Sequence, residues 1–464
     1  MLPEEGLPRT TRSMISSGLF ARFFWAAVVG STGDWITVFA MITLADNIGS
    51  KEGILIALMA RILPGLLLGG VVGVISDRVD RRKLVVLADV GRGVIVPFLA
   101  LVDTLTMLVG ITLVLELLSL LGQPPRTAMV PRLVKAENLV TANSLMLAAA
   151  FGTIPLGTLL LFAIQGLPDI TLGFIPPGND GLAMAFVIDG ITFLASGLMI
   201  ASLPRITTTL ADESAPANAK STWADFKEGI SFLVGDPSVR RVIAGMTAAL
   251  FGGGTIIVLG RDFAGNVLQA DDAGFFAIIT MLGLGAVIGL VSLSLNEYRL
   301  VHLDLAFGIA TAVTGIGLVA AAMVETVPGA AAWMLVMGMG AGAAYLMGLT
   351  HLHECVDDEL RGRVFAALFG LMRVGLFVAM ALAVPLVDVF RWVNIWRLDN
   401  PTRVVLFLGG AVILLSGLIV IVTLRSLFRR PSLGTETRDI IAAANRARRS
   451  RMQRRREAVE ETEE

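Results

Sequence analysis

An all-α, polytopic membrane bundle is the fold class this sequence predicts, and three observations carry it. Only 16% of the 464 residues are charged and 55% are hydrophobic, with mean hydropathy +0.77; a soluble domain carries about 25% charged residues. Apolar runs of about 20 residues recur, the length that crosses about 30 Å of hydrocarbon at 1.5 Å per residue. Lys and Arg crowd into alternate connections between those runs. Lipid offers the backbone no hydrogen-bond partners and the alternation of a barrel strand is absent, so the spans are read as helices.

Twelve spans are expected, at 18–44, 53–75, 84–102, 106–122, 140–165, 183–203, 240–260, 273–295, 304–324, 331–350, 364–388 and 404–424. The segment before span one, MLPEEGLPRTTRSMISSG, has acids and no short apolar region ending in a cleavage site, so span one is expected to stay in the membrane. If the N-terminus is cytoplasmic, 29 Lys and Arg fall on that side and only Lys51, Arg261, Arg391, Arg397 and Arg403 on the other. That asymmetry places both termini in the cytoplasm, which requires an even number of spans.

The longest interior polar break, 204–239, divides an N-terminal half, 18–203, from a C-terminal half, 240–424. Within the break WADFKEGISFLV reads as an amphipathic helix on the membrane surface. Residues 1–17 form a cytoplasmic N-terminus, and the tail, 425–464, is basic and then acidic, suited to solvent or to anionic lipid. Trp392 and Trp396, between spans eleven and twelve, suit an interfacial belt. A single cysteine, Cys355, excludes a disulfide framework within the chain.

Away from the span ends, seven ionisable residues sit inside the spans: Asp34, Arg61, Asp89, Arg92, Glu116, Asp189 and Arg373. Each costs about 2.5–3.5 kcal/mol at a helix centre, which makes it a functional candidate. Depth sorts them. Asp34 and Arg61 lie about 15 Å and 12 Å below the outer ends of neighbouring spans, so they can pair. Glu116 and Arg92 lie roughly 9–12 Å from the inner face and can pair also. Arg373, about 14 Å deep, has no obvious partner in its own half. It is read as a counter-ion for an acidic cargo, a snorkelling side chain, or a partner across the two halves.

Other signals are weaker. GLLLGGVVG in span two and GMGAGAAYLMG in span ten present small faces that permit close helix packing. Gly252–Gly254 can let span seven bend, and Pro64, Pro155 and Pro385 can kink their spans. Met334, Met337, Met339 and Met347 suit either a promiscuous apolar cavity or core filling. HLHEC supplies His351, His353 and Cys355, but the first and last share a helix face that the middle one does not, so no metal site is expected. FGGGT lacks the Lys-Ser/Thr of a phosphate loop, and no ATP coupling is expected.

Between spans two and three stands G-x-x-x-D-R-x-x-R-R, comprising Gly73, Asp77, Arg78, Arg81 and Arg82. It resembles the signature loop of the major facilitator superfamily. STGDWITVF, MARILPGLLLGG, LADVGRG, QPPRTAMVPRLVKAENLVTANSL and DDELRGRVFAALFGL are similar to the branch that holds the enterobactin exporter and macrolide efflux proteins. The resemblance covers roughly 18–425. The second half departs from it, since SLSLNEYRLVHLD keeps only Arg299 of the signature.

The resemblance implies twelve helices in two pseudo-symmetric six-helix halves, with helices one, four, seven and ten around a central cavity. Asp34 and Glu116 would then face that cavity as proton-coupling candidates, Asp34 first; the alternative is that both are permanently ionised partners of Arg61 and Arg92. Asp89 and Asp189 would lie on peripheral helices, in structural hydrogen bonds. The signature turn would be a cytoplasmic gate, with Asp77 accepting from free amides near Arg363. The expected activity is proton-coupled export of a small amphipathic or apolar molecule by alternating access. The alternatives are siderophore or lysolipid transport, or a non-transporting scaffold or sensor. An enzyme, a cofactor, a metal and a nucleic-acid partner are not expected. The expected setting is the lipid bilayer of a bacterial-type inner membrane, as a monomer.

Overall fold

A computed structural model describes residues 11–76, 79–135, 138–165, 180–204, 237–295, 303–356, 358–393 and 400–428, with residues 231 and 235. Its longest helical run, Leu19–Ser76, would reach about 87 Å if straight, nearly three hydrocarbon thicknesses. It is two helices. Gly49 (φ −143°, ψ 21°) and Ser50 (φ 54°, ψ −155°) leave the helical region and turn the chain back. The arms are α1, 19–48, and α2, 51–76. The remaining spans are α3 (Arg81–Ile95, tightening into a 3₁₀ turn over Val96–Leu101), α4 (Leu105–Leu133), α5 (Leu139–Phe151 and Ile154–Gln165) and α6 (Asp180–Ala201). The second half comprises α7 (Pro237–Asp262, ending in a π turn over Phe263–Val267), α8 (Asp272–Leu295), α9 (Leu303–Met323), α10 (Val327–Cys355), α11 (Asp358–Val393) and α12 (Pro401–Phe428). Ten helices among the described residues, α3 to α12, are apolar and long enough to cross a membrane. With α1 and α2 they give the twelve spans, and twelve crossings return the chain to its starting face.

Several boundaries differ from the sequence reading. α4 continues eleven residues past 122, through Pro124, Pro125 and Pro131, so Arg126 and Arg132 are helical rather than loop residues. α11 ends at Val393, which puts Trp392, 86% exposed, on a helix end rather than in a loop. α7 runs unbroken through Gly252–Gly254. α5 does break, at Gly152–Thr153, just before Pro155, whose ring cannot continue the preceding turn. Trp396, most of WADFKEGISFLV, Arg299 and the tail lie outside the described residues.

Helix contacts repeat with a shift of six. α3 packs on α4 and α6 as α9 packs on α10 and α12. α5 meets α8 across the halves as α11 meets the α1–α2 hairpin. Outward faces are apolar: on α12, Leu408, Val412, Leu415, Ile419 and Val422 are exposed at alternating steps of four and three, one stripe of a helix turned to lipid. Inside, Met334, Met337 and Met347 are buried and fill the core, while Met339 is exposed.

The second half closes on glycine. A Cβ on Gly338 or Gly342 of α10 would stand 2.0 or 2.1 Å from the carbonyl oxygens of Leu282 or Ala286 on α8. Gly285 and Gly289 of α8 meet Leu335 and Met339 of α10 in the same way, at 2.1 and 2.2 Å. The GMGAGAAYLMG face thus presses backbone on backbone. In α2, Gly65 has ordinary contacts only, with Leu120 and Arg373.

Candidate functional site

The tripeptide Gly33-Asp34-Trp35 organises the first half. Successive residues of a helix turn by about 100°, so the three address different neighbours. Gly33 faces α6, where a Cβ would sit 2.2 Å from Asp189 Oδ1 and 1.9 Å from Thr192 Oγ1. Trp35 Nε1 donates to the carbonyl of Ala150 at 2.8 Å, beside the break in α5. Asp34 faces α2 and α3.

Asp34 Oδ1 accepts from Arg61 Nη2 at 2.8 Å and from Arg92 Nη2 at 2.5 Å. The predicted Asp34–Arg61 pair is therefore present. The predicted Glu116–Arg92 pair is not: Arg92 turns to Asp34 and lays its guanidinium 3.9 Å from the Phe193 ring centroid on α6. Glu116 is half-buried and has no bonded partner among the described residues, yet it lies within the fields of Arg61, Asp34, Arg92 and Arg373. Arg373 arrives from the other half, its Nη1 3.8 Å from where a Cβ on Gly65 of α2 would be. Five charges from α1, α2, α3, α4 and α11 thus share one region inside the bundle.

One turn nearer the termini, Asp89 is 3% exposed and saturated. It accepts from Arg126 at 2.6 and 2.7 Å and from Ser196 Oγ at 2.7 Å, joining α3, α4 and α6. This is the structural hydrogen bonding expected of it. Asp189 differs. It is fully buried, takes only the Thr192 hydroxyl on Oδ1 at 3.0 Å, and leaves Oδ2 without a donor.

Of the signature turn, Asp77 and Arg78 lie outside the described residues, and Gly73 and Arg363 belong to α2 and α11 by backbone only. Arg81 begins α3, partly buried. Arg82 Nε donates to the Ile200 carbonyl at 3.3 Å and its Nη2 to the Ala201 carbonyl, closing the C-terminal end of α6. Asp80, which the sequence reading passed over, caps α3 through the amides of Arg82 (3.0 Å) and Lys83 (3.4 Å). In HLHEC, His351 Nδ1 stands 2.7 Å from Asp304 Oδ1 on α9, and the Cys355 sulfur 3.5 Å from Nε2. No group of three or more His, Cys, Asp or Glu among the described residues is placed to hold a metal ion.

At the face opposite the termini the two halves are tied by charge. Arg261 of α7 binds Asp46 of α1 at 2.6 Å and also Asp272 of α8. Lys51 of α2 binds Asp388 of α11 at 2.7 Å. Deeper in, Thr280 Oγ1 donates to Thr158 Oγ1 at 2.7 Å, and Phe39 meets Phe275 edge-on at 6.3 Å. The sequence reading used Lys51 and Arg261 only to fix topology. Their scarcity was the signal, since a side with five cations among 34 outside the spans keeps each for a reason.

Removing both cations, in Lys51→Ala/Arg261→Ala, is expected to open this face. Partly exposed pairs contribute about 1 kcal/mol or less each, so the shift in open population is roughly tenfold. Spin labels on the α1 and α7 ends would read it as a longer, broader distance. An unchanged distribution would mean that the Thr158–Thr280 and Phe39–Phe275 contacts suffice.

Comparisons with known proteins agree with this architecture. The chain is 24% identical over 378 residues to the MFS-type transporter YfiS of Bacillus subtilis (strain 168), covering 76% of this chain and 83% of that one. A second MFS-type transporter of that organism, YkuC, is 23% identical over 254 residues, 52% of this chain and 55% of that one. Among solved structures, the inward-facing, unoccupied bacterial homologue of the human lysosomal transporter Spinster aligns with TM-score 0.61 and 15% identity, over 88% of this chain and 96% of that one. The nucleoside transporter NupG aligns with TM-score 0.64 and 11% identity, over 87% and 99%. Residues 23–301 match the family model described as Major Facilitator Superfamily. With its twelve spans, its six-shifted helix contacts and that match, the chain is a membrane transporter of the Major Facilitator Superfamily.

Proposed function

We propose that this transporter is a proton-coupled exporter of small amphipathic or apolar molecules. It works by alternating access in a bacterial inner membrane, with both termini in the cytoplasm and the signature turn at the cytoplasmic gate. The enterobactin-exporter and macrolide-efflux branch is the group that its motifs resemble. No covalent chemistry and no cofactor are needed.

The observation that carries the reading is the unequal service of two acids. Asp34 holds two arginines, and Glu116 beside them is bonded to neither. The two form a proton-coupling pair. When Glu116 is ionised it attracts Arg61 from its own half and Arg373 from the other. A proton on Glu116 removes both attractions, leaves Arg61 to Asp34, and loosens the link between the halves. The ion pairs at the face opposite the termini then decide which side opens.

The test is purified protein in liposomes holding a pH-sensitive dye, challenged with a panel of amphipathic weak bases and uncharged macrolides. Cargo-driven proton flux is expected, and Glu116→Gln is expected to cut it roughly tenfold or more, a barrier change of about 1.4 kcal/mol. Flux that survives Glu116→Gln unchanged would remove Glu116 from the coupling. A wild-type protein that moves cargo without protons would overturn the antiport reading. A second reading, an acidic cargo such as a siderophore or lysolipid, is favoured by Arg373, which is exposed and has no ion pair among the described residues. In that case acidic members of the panel compete and Arg373→Gln weakens only them.

A further inference from the structure

We propose that Asp189, on α6, is a proton-binding site in its own right, and that Arg92 is the switch between it and Asp34. Asp189 holds a proton on Oδ2 while Arg92 serves Asp34. It gives the proton up when Arg92 turns its free Nε onto that oxygen.

The argument rests on three buried atoms left without partners among the described residues. They are Asp189 Oδ2, Thr37 Oγ1 and Arg92 Nε. Asp189 is 0% exposed and Thr37 2%, so water does not serve them from the surface. Thr37 stands beside Asp189, and Arg92 is among the charges acting on it. An ionised carboxylate here would be fully buried with no cation bonded to it and only the Thr37 and Thr192 hydroxyls to serve it, which is costly. A proton on Oδ2 turns that oxygen into a donor, and the Thr37 hydroxyl, one turn after Gly33 on α1, is the acceptor next to it. Nothing larger than hydrogen fits at residue 33, because a Cβ would overlap Oδ1.

The charged groups facing Asp189 come from each packed helix. α1 supplies Asp34, α2 supplies Arg61, and α3 supplies Arg92 and Asp89. The 3₁₀ turn over Val96–Leu101 and the second part of α5 supply none. Asp89 is fully engaged by Arg126 and Ser196, and Arg61 by Asp34. Arg92 has a buried unused donor: its Nη2 is on Asp34 and its Nε has no partner among the described residues. α3 and α6 touch backbone to backbone there, a Cβ on Gly93 lying 2.9 Å from the Gly190 carbonyl, so a rotation of Arg92 needs no helix movement. The exchange balances: the proton leaving Asp189 Oδ2 passes to the partly exposed Asp34 carboxylate that Arg92 has left, and the Asp189 carboxylate gains a hydrogen bond from that cation in its place.

The role in transport rests on the proton coupling proposed above, but the site does not, and its test needs no cargo. Infrared spectra of the full-length protein in detergent at neutral pH are expected to show a protonated-carboxyl band. Asp189→Asn should remove that band, and Thr37→Val, which keeps the acid and deletes its acceptor, should shift it. A wild-type minus Asp189→Asn difference spectrum with no protonated-carboxyl band overturns the site. Should Asp189→Asn fail to fold, a band unmoved by Thr37→Val overturns it equally. Arg92→Gln, which removes the switch, should leave the band in place at pH values where the wild type loses it. If the band belongs to Asp189 while cargo moves without protons, the site stands and the antiport reading falls.

Discussion

Asp34→Ala is expected to abolish transport and to destabilise the protein by about 3 kcal/mol, the low end for a broken buried pair because the Asp34 side chain is 31% exposed. The loss comes from the cations left behind. Arg61 and Arg92 are 20% and 9% exposed, and both direct Nη2 at the same oxygen, Asp34 Oδ1. Without it two guanidinium groups sit inside a helix bundle with no shared anion. Asp34→Asn keeps the shape and an acceptor oxygen but not the charge, so it should retain more folded protein while losing transport. Thermal unfolding followed by size-exclusion chromatography in detergent measures the first effect. Wild-type stability in Asp34→Ala would show that the arginines find another partner, with Glu116 the nearest candidate. A double-mutant cycle with Arg92→Met separates the two cations: if Arg92 is the costlier orphan, that change restores part of what Asp34→Ala removes.

How much of this was legible beforehand follows from what one dimension encodes. Charges in apolar spans stand out, and depth along a helix follows from residue count, so the Asp34–Arg61 pair could be read. Azimuth could not. Glu116 and Arg92 share a depth, but Arg92 points toward Phe193 and Asp34. Asp189 was read as a structural residue on a peripheral helix, since nothing in the sequence says that its neighbours would be Gly33 and an unpartnered Thr37. The pairs at Lys51 and Arg261 join residues 337 and 215 positions apart, a separation that carries no local pattern. One helix end was placed too early: the span ending at 122 continues through Pro124 and Pro125 to Leu133 as α4.

The halves share a topology but not a chemistry. The first is tied internally by Asp34, Asp89, Arg61, Arg92 and Arg126, and the second by close backbone approach along α8–α10 and α9–α12. In α9–α12 a Cβ on Gly315 would lie 2.3 Å from the Leu414 amide nitrogen, and one on Gly417 would lie 2.5 Å from that of Ala312. Alternating access by rocking needs each half to hold its shape while the contact between them changes. Charges can serve that in the half that exchanges protons, because their balance is what the proton alters. A glycine seam serves it in the other half, where backbone lies on backbone and leaves no room for side chains between the helices.

Gly342→Ala is therefore expected to cost about 1–3 kcal/mol, as overpacking does, although alanine is the better helix former. Its Cβ would stand 2.1 Å from the Ala286 carbonyl oxygen, an atom of the α8 backbone that cannot rotate away. The two helices must part, and the contacts at Gly285, Gly289 and Gly338 loosen with them. Gly253→Ala is the matched control: that glycine also lies inside a helix, and a Cβ there meets nothing within 4 Å. Its expected effect is neutral or a gain of up to about 1 kcal/mol. Thermal unfolding in one detergent compares the two directly. Equal unfolding temperatures would mean that α8 and α10 yield at little cost. Since α8 also carries the contact with α5 of the first half, the second half would then deform where the rocking of a rigid body requires it to turn.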